Sequence, residues 1–171
     1  MDRVIPVAIA LGSNLGPSGN RAAHLDFAVA ELKHTLNEVV VSRWHDTEPA
    51  ESAAKTDQPR FLNGALVGET RMPARALLDK LREIEQAAGR ERPFKGAPRT
   101  LDLDLILYGT DVVYEPGLMV PHPRFRDRRF VLDPLVEIAP FMVDPVTGRT
   151  VDALLTDLIM RSIPEGERPT F

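Results

Sequence analysis

An α+β fold, in which an antiparallel sheet carries two helices on one face, is predicted for this chain by three observations. Four short apolar segments have strand length and end in turn-forming residues. Two longer segments repeat apolar residues at three- and four-residue spacing. The six alternate as strand-helix-strand-strand-helix-strand. The length agrees: 171 residues and 19.0 kDa suit one domain with a single core, spanning 1–171.

Residues 4–11 (VIPVAIAL) are an apolar run closed by Gly12 and read as a buried strand. A turn-rich stretch, Gly12-Ser13-Asn14-Leu15-Gly16-Pro17, leads to Asn20, a suitable helix N-cap. Ala22, Leu25, Val29, Leu32 and Leu36 then trace one stripe of an amphipathic helix. Residues 39–47 form a second strand. The polar residues 48–60 form a long loop, and loops of that length in compact domains are often functional.

Residues 61–70 are the third strand. Pro73 falls in the first turn of a second helix, where its missing N–H is harmless, and Leu77, Leu78, Leu81, Ile84 and Ala88 mark that helix as far as Gly89. An arginine-rich loop, residues 90–99, precedes a fourth strand over 100–108. This order is that of the ferredoxin-like βαββαβ sandwich. The remainder predicts a Pro121-His122-Pro123 turn, an apolar piece over 130–138, a C-terminal hairpin over 144–149 and a short helix over 151–159. The 15 prolines cluster between Pro93 and Pro145, which makes this half rich in fixed turns.

Composition narrows the function. The net charge of -4 speaks against nucleic acid as a partner, though a local arginine cluster still suits an anionic ligand. With no cysteine, disulfides, thiolate metal sites and cysteine nucleophiles are excluded. No apolar run reaches the roughly 18 residues of a membrane helix, and the amino terminus lacks a secretory layout. A cytoplasmic protein with no membrane partner is expected. No phosphate-binding P-loop and no nucleophile elbow occur.

The segment Arg99-Thr100-Leu101-Asp102-Leu103-Asp104-Leu105-Ile106-Leu107 carries the most chemistry. At the strand period of two, Leu101, Leu103, Leu105 and Leu107 share one face. Asp102 and Asp104 share the other, about 7 Å apart. Aspartate is disfavoured in strands, and two on one face repel unless a cation intervenes. Two readings fit these residues: a Mg²⁺ or Mn²⁺ site, or a half-exposed strand with solvated carboxylates. Arg90, Arg92 and Arg99 stand just before the strand, and Arg124, Arg126, Arg128 and Arg129 follow the Pro-His-Pro turn. Guanidinium groups hold phosphate bidentately, so an acidic pair beside them is what a polyphosphate requires. An RNA-binding module on the same scaffold would want a basic, aromatic sheet face, where this strand offers two aspartates.

Four motifs stand in a familiar order: Ala10-Leu11-Gly12-Ser13-Asn14-Leu15-Gly16, Phe61-Leu62-Asn63-Gly64-Ala65, Pro98-Arg99-Thr100-Leu101-Asp102-Leu103-Asp104 and Val120-Pro121-His122-Pro123. Over residues 4–140 the chain resembles the 6-hydroxymethyl-7,8-dihydropterin pyrophosphokinases of folate biosynthesis. The resemblance implies transfer of pyrophosphate from ATP to the pterin's hydroxymethyl oxygen, with release of AMP. It also implies Asp102 and Asp104 as ligands of two Mg²⁺ ions, and Arg90 and Arg99 as catalytic arginines. Glu85, Arg92, His122 and Arg128 would meet ATP. Phe61 and Phe130 would sandwich the pterin, Asn63 would read its edge, and backbone near Thr47 would complete the pocket. A monomer is expected. Phe61 and Asn63, two apart in one strand, share a face as this requires. The chain departs from the family's habit in three places: the shorter stretch Arg92-Pro93-Phe94-Lys95-Gly96-Ala97-Pro98-Arg99, where an aromatic, often Trp, commonly stands directly before Gly-Pro-Arg; Phe61 where Tyr is common; and Glu48-Pro49 in place of Pro-Pro.

Overall fold

A computed structural model of the chain describes residues 3–13, 21–47, 61–89 and 101–169. The elements run β1 (Ile5–Ser13), α1 (Arg21–Thr35), β2 (Asn37–Val41), β3 (His45–Thr47), β4 (Phe61–Thr70), α2 (Ala74–Ala88) and β5 (Asp102–Tyr108). They continue with β6 (Val113–Glu115), β7 (Leu118–Val120), α3 (Arg129–Ile138) and α4 (Val151–Ser162). The main sheet has the order β2-β4-β1-β5, with β3 also paired to β4, and every neighbour is antiparallel. The predicted βαββαβ order is present.

The predicted second strand is divided. Between β2 and β3, Ser42 replaces a ladder residue with its side chain: its N–H donates to Ala65 O at 2.9 Å, and its Oγ accepts from Ala65 N at 2.9 Å. A side chain that takes a ladder bond interrupts regular pairing. Glu38, at φ 53, adds a register shift inside β2.

The two expected helices, α1 and α2, lie on one face of the sheet, and α3 and α4 cover the other. Val7, Ile9 and Leu11 of β1 pack with Leu25 and Leu32 of α1 and with Leu77 and Leu81 of α2. On the opposite face Ala8, Ala10 and Ala65 pack with Val131, Leu132 and Leu135 of α3 and Val151 and Leu154 of α4. Residues 130–138, expected only as an apolar piece, are therefore the heart of α3, which includes Pro134. Alanines on this face leave room for the larger side chains of that helix.

Smaller corrections have local causes. Leu101, Leu103 and Leu105 share the α1/α2 core, but Leu107 lies in the α3/α4 core. A register shift between Ala8 and Ile9 pairs Ile9 with Leu105 and Ala8 with Leu107, so one extra β5 residue switches the face. Pro73 is the N-cap of α2 rather than a first-turn residue. In α1 the buried stripe is Leu25, Ala28 and Leu32, continued by Leu36 just past its end, with Ala22 exposed. The expected hairpin at 144–149 is present in short form: Val143 and Thr150 make an antiparallel bridge, Asp144 N–H donates to Arg149 O at 2.9 Å, and the chain reverses at Gly148, φ 74. Thr150 Oγ1 then caps α4 by accepting from Ala153 N at 3.1 Å. The β6–β7 hairpin is an addition. Among the described residues no helix is long and apolar enough to cross a membrane.

Candidate active site

The sheet register gathers the predicted polar residues. Directly opposed residues project to the same face of an antiparallel pair. Asp102 of β5 is opposite Gly12 of β1, Gly12 is opposite Asn63 of β4, and Asn63 is opposite His45 of β3. One row across four strands therefore reads Asp102, Gly12, Asn63, His45. The next row places Asp104 beside Ala10 and Ala65, which belong to the α3/α4 core, so this is the α3 face of the sheet. Asn63 is buried, whereas Asp102 and Asp104 are half-buried. Within the row the Asn63 amide lies over Gly12: a Cβ built at Gly12 would be 2.9 Å from Asn63 Oδ1.

Glu85 approaches the acidic strand from α2. Its Oε2 accepts the Leu103 N–H at 2.7 Å, and its Oε1 accepts from Arg82 Nη1 at 3.0 Å. Leu103 separates the two aspartates and β5 is the sheet edge, so this carboxylate satisfies an edge amide between them. The Pro-His-Pro segment runs along the same edge: the His122 N–H donates to Ile106 O at 2.9 Å, and the Val120–Pro121 peptide is cis.

Burial pushes the His122 imidazole below its ordinary value; Asp104 pulls it back up, and Arg128 and Arg124 add to the depression. The ring is thus neutral near pH 7 and lies in the field of Asp104 on one side and the arginines on the other. His122 Nδ1 accepts the Arg124 N–H at 3.2 Å. In the neutral ring that acceptor role assigns the proton to Nε2, which becomes the donor. Asp104, His122, Leu105 and Leu118 line one cleft together with Leu78 and Arg82 of α2. Arg82 has no role in the sequence reading; its three-residue spacing from Glu85 is the only signal of its place.

The aromatic candidates fall on two elements. Phe61 begins β4 opposite Thr47 of β3, and is half-buried. Phe130 opens α3 and packs partly against the α3/α4 core. The Arg128 guanidinium lies over the Phe130 ring at 5.5 Å from its centroid, within cation–π range. Arg126, two residues earlier, points elsewhere: its Nε and Nη2 donate to Asp144 Oδ2 and Oδ1 at 2.6 and 2.9 Å. Asp144 is fully buried and also accepts from Thr147 Oγ1 and Val146 N. Arg90, Arg92, Arg99 and Phe94, the loops 48–60 and 90–98, and the Thr47 side chain lie outside the described residues.

The donor set suits magnesium. Among the described residues no group of three or more His, Cys, Asp or Glu converges as a metal cage. Mg²⁺ takes one or two protein carboxylates and fills its remaining positions with phosphate oxygens and water, which is what a pair such as Asp102 and Asp104 offers.

Comparison with known proteins identifies the family and the fold. Residues 8–140 match the family described as 7,8-dihydro-6-hydroxymethylpterin-pyrophosphokinase. A Synechocystis 2-amino-4-hydroxy-6-hydroxymethyldihydropteridine pyrophosphokinase is 40% identical over 149 residues, covering 86% of this chain and 73% of the relative. The protein of the same name from Pseudomonas aeruginosa is 42% identical over 150 residues, covering 87% of this chain and 89% of the relative. In structure, a crystallised Plasmodium falciparum HPPK-DHPS triple mutant superposes with a TM-score of 0.72 at 13% identity. The match covers 98% of this chain and 46% of that one, so the chain spans just under half of the solved polypeptide. At that identity the likeness concerns the fold.

Proposed function

The chain belongs to the 7,8-dihydro-6-hydroxymethylpterin-pyrophosphokinase family, and from that premise we propose which of its residues carry the reaction. It is a pyrophosphokinase acting on hydroxymethyldihydropterin in folate synthesis, with ATP as co-substrate. The hydroxymethyl oxygen attacks the β-phosphorus of ATP in line. The new O–P bond forms as the bond between the β-phosphorus and the α,β-bridging oxygen breaks, the hydroxyl proton passes to solvent water, and AMP leaves with the bridging oxygen. Little covalent help is needed, so positioning and charge complementarity supply most of the acceleration.

The observation that carries this reading is the register row. It puts Asp102 and the pterin-reading candidate Asn63 on one face, separated by a single glycine-bearing strand. Asp102 and Asp104 would hold Mg²⁺, two ions by resemblance, and the bound metal would neutralise phosphate oxygens. His122, neutral with Nε2–H as donor, reaches an ATP oxygen without adding charge, and Arg128 supplies the cation. Arg90, Arg92 and Arg99 join from the loop before β5, the first and last taking up charge as the phosphoryl group transfers. Asn63 reads the pterin edge with backbone near Thr47, and Phe61 and Phe130 stack on its faces. Glu85, whose carboxylate holds Leu103, meets the nucleotide side through Arg82. The enzyme acts as a monomer in the cytoplasm.

The deciding experiment supplies ATP, Mg²⁺ and 6-hydroxymethyl-7,8-dihydropterin and measures AMP. Release of AMP that requires all three is expected. ATP consumption independent of the pterin, or ADP as the nucleotide product, overturns the reading.

A further inference from the structure

Resting on that reading, we infer that Glu137 is a positioning residue for the pterin, joining the two walls between which it stacks. One wall belongs to β3 and β4, with Thr47 opposite Phe61 and His45 opposite Asn63. The other belongs to α3, which carries Phe130 in its first turn and Glu137 in its last.

Strand β3 has three residues and, among the described residues, pairs with β4 alone. A ladder that short holds position weakly, and edge segments of this kind open at low free energy. Glu137 supplies a second attachment from the opposite side. Its Oε2 accepts the Arg43 N–H at 2.7 Å, its Oε1 accepts Arg43 Nε at 3.1 Å, and the same Oε1 lies 3.1 Å from His45 Nε2. These contacts seize the backbone just before β3 and a ring inside it. Hydrogen bonds to an ionised carboxylate are about twice as strong as neutral ones.

The Arg43 backbone N–H is the largest influence holding the Glu137 carboxyl below its ordinary value; partial burial opposes it, and the His45 and Arg43 side chains reinforce it. The carboxylate is thus charged throughout the neutral range, where it can accept these bonds.

Consequences for the substrates differ. The cleft around Asp104 and His122 is lined by residues of α2, β5 and the stretch 117–123, whereas the hydrogen bonds of Glu137 described above go to Arg43 and His45. Loss of the tether therefore loosens the pterin walls and leaves the nucleotide side in place. A purely structural residue would lower stability and affect both substrates alike.

Steady-state kinetics of Glu137→Ala, with thermal melting as a control, tests this. The expected result is a pterin KM raised at least fivefold with the ATP KM unchanged within twofold. Glu137→Gln keeps the shape and one acceptor for the Arg43 N–H, so its pterin KM should fall between wild type and Glu137→Ala. If Glu137→Ala does not fold, Glu137→Gln decides alone, with a pterin KM at least doubled and an unchanged ATP KM. Parallel changes in both KM values, or no change in the pterin KM, overturn the inference. Wild-type enzyme that releases no pterin-dependent AMP would instead take down the functional reading.

Discussion

Asn63 occupies the space that a side chain at Gly12 would need: the two are opposed in the β1–β4 ladder, and a Cβ at Gly12 would come within 2.9 Å of Asn63 Oδ1. The clashing atom is the end of a flexible side chain, so Gly12→Ala should fold by turning the Asn63 amide aside. Losing a hydrogen bond or two to the pterin edge corresponds to roughly a tenfold weaker affinity. We expect the pterin KM to rise about that much with the ATP KM unchanged, read by steady-state kinetics.

The acidic pair gives a prediction about metal. Chelation with EDTA should stop AMP release, and added Mg²⁺ should restore it. Asp102→Asn and Asp104→Asn should each lower turnover by roughly two orders of magnitude, in the range lost when one charge-stabilising group is removed. Both variants should remain folded, as read by circular dichroism, so that the loss of turnover is not a loss of structure. A variant with wild-type Mg²⁺ dependence would remove that aspartate from the site.

Beneath the arginine turn, Arg126 and Asp144 form a bidentate pair whose carboxylate is fully buried. Asp144→Ala leaves a guanidinium facing a protein interior without its partner, a change that costs about 3 kcal/mol. Urea denaturation measures it directly.

Acid acts through the same pair. Burial pushes the Asp144 carboxyl up, but bonds from Arg126, Thr147 and the Val146 N–H outweigh it and hold the group below its ordinary value. The unfolded chain therefore binds the proton first. The stabilisation is complete above the unfolded value near 3.9 and is lost as pH falls through the folded value. Denaturation midpoints measured from pH 6 downward should fall more steeply for wild type than for Asp144→Asn.

Trp44, the single tryptophan of the chain, reports on β3. A Cβ at Gly64 would lie 2.4 Å from its Cε3 and Cζ3. Gly64→Ala must expel the indole, so a red-shifted emission and a loss of about 1–3 kcal/mol are expected, as for overpacked sites. Unchanged emission would contradict the packing.

Where the amino-acid pattern is long and clean, it predicts the fold well. Strand β4 is observed at its expected bounds, because a run of ten residues from Phe61 to Thr70 lacks proline and ends before a turn. That Asp102 and Asp104 share one face of their strand was legible from the period of two alone, because β5 runs without a break between them. Pro134 hid α3 by interrupting a helical stripe that tertiary packing nevertheless completes. The β6 and β7 strands, three residues each, are too short to show a period. The Leu107 reversal depends on a register shift, which is a property of two strands together. Glu137 and Arg43 are 94 residues apart, and no local rule connects them. Contacts of that kind belong to the fold and not to any segment.

Strand β5 lies at the margin of the sheet, where bare amides and carbonyls ordinarily invite a foreign strand to dock. Here the Leu103 amide is claimed by Glu85 and the Ile106 carbonyl by His122. The groups beside the cleft proposed for the nucleotide thereby also close part of this border to a foreign strand, so that one pair of contacts shapes a cleft and guards an edge.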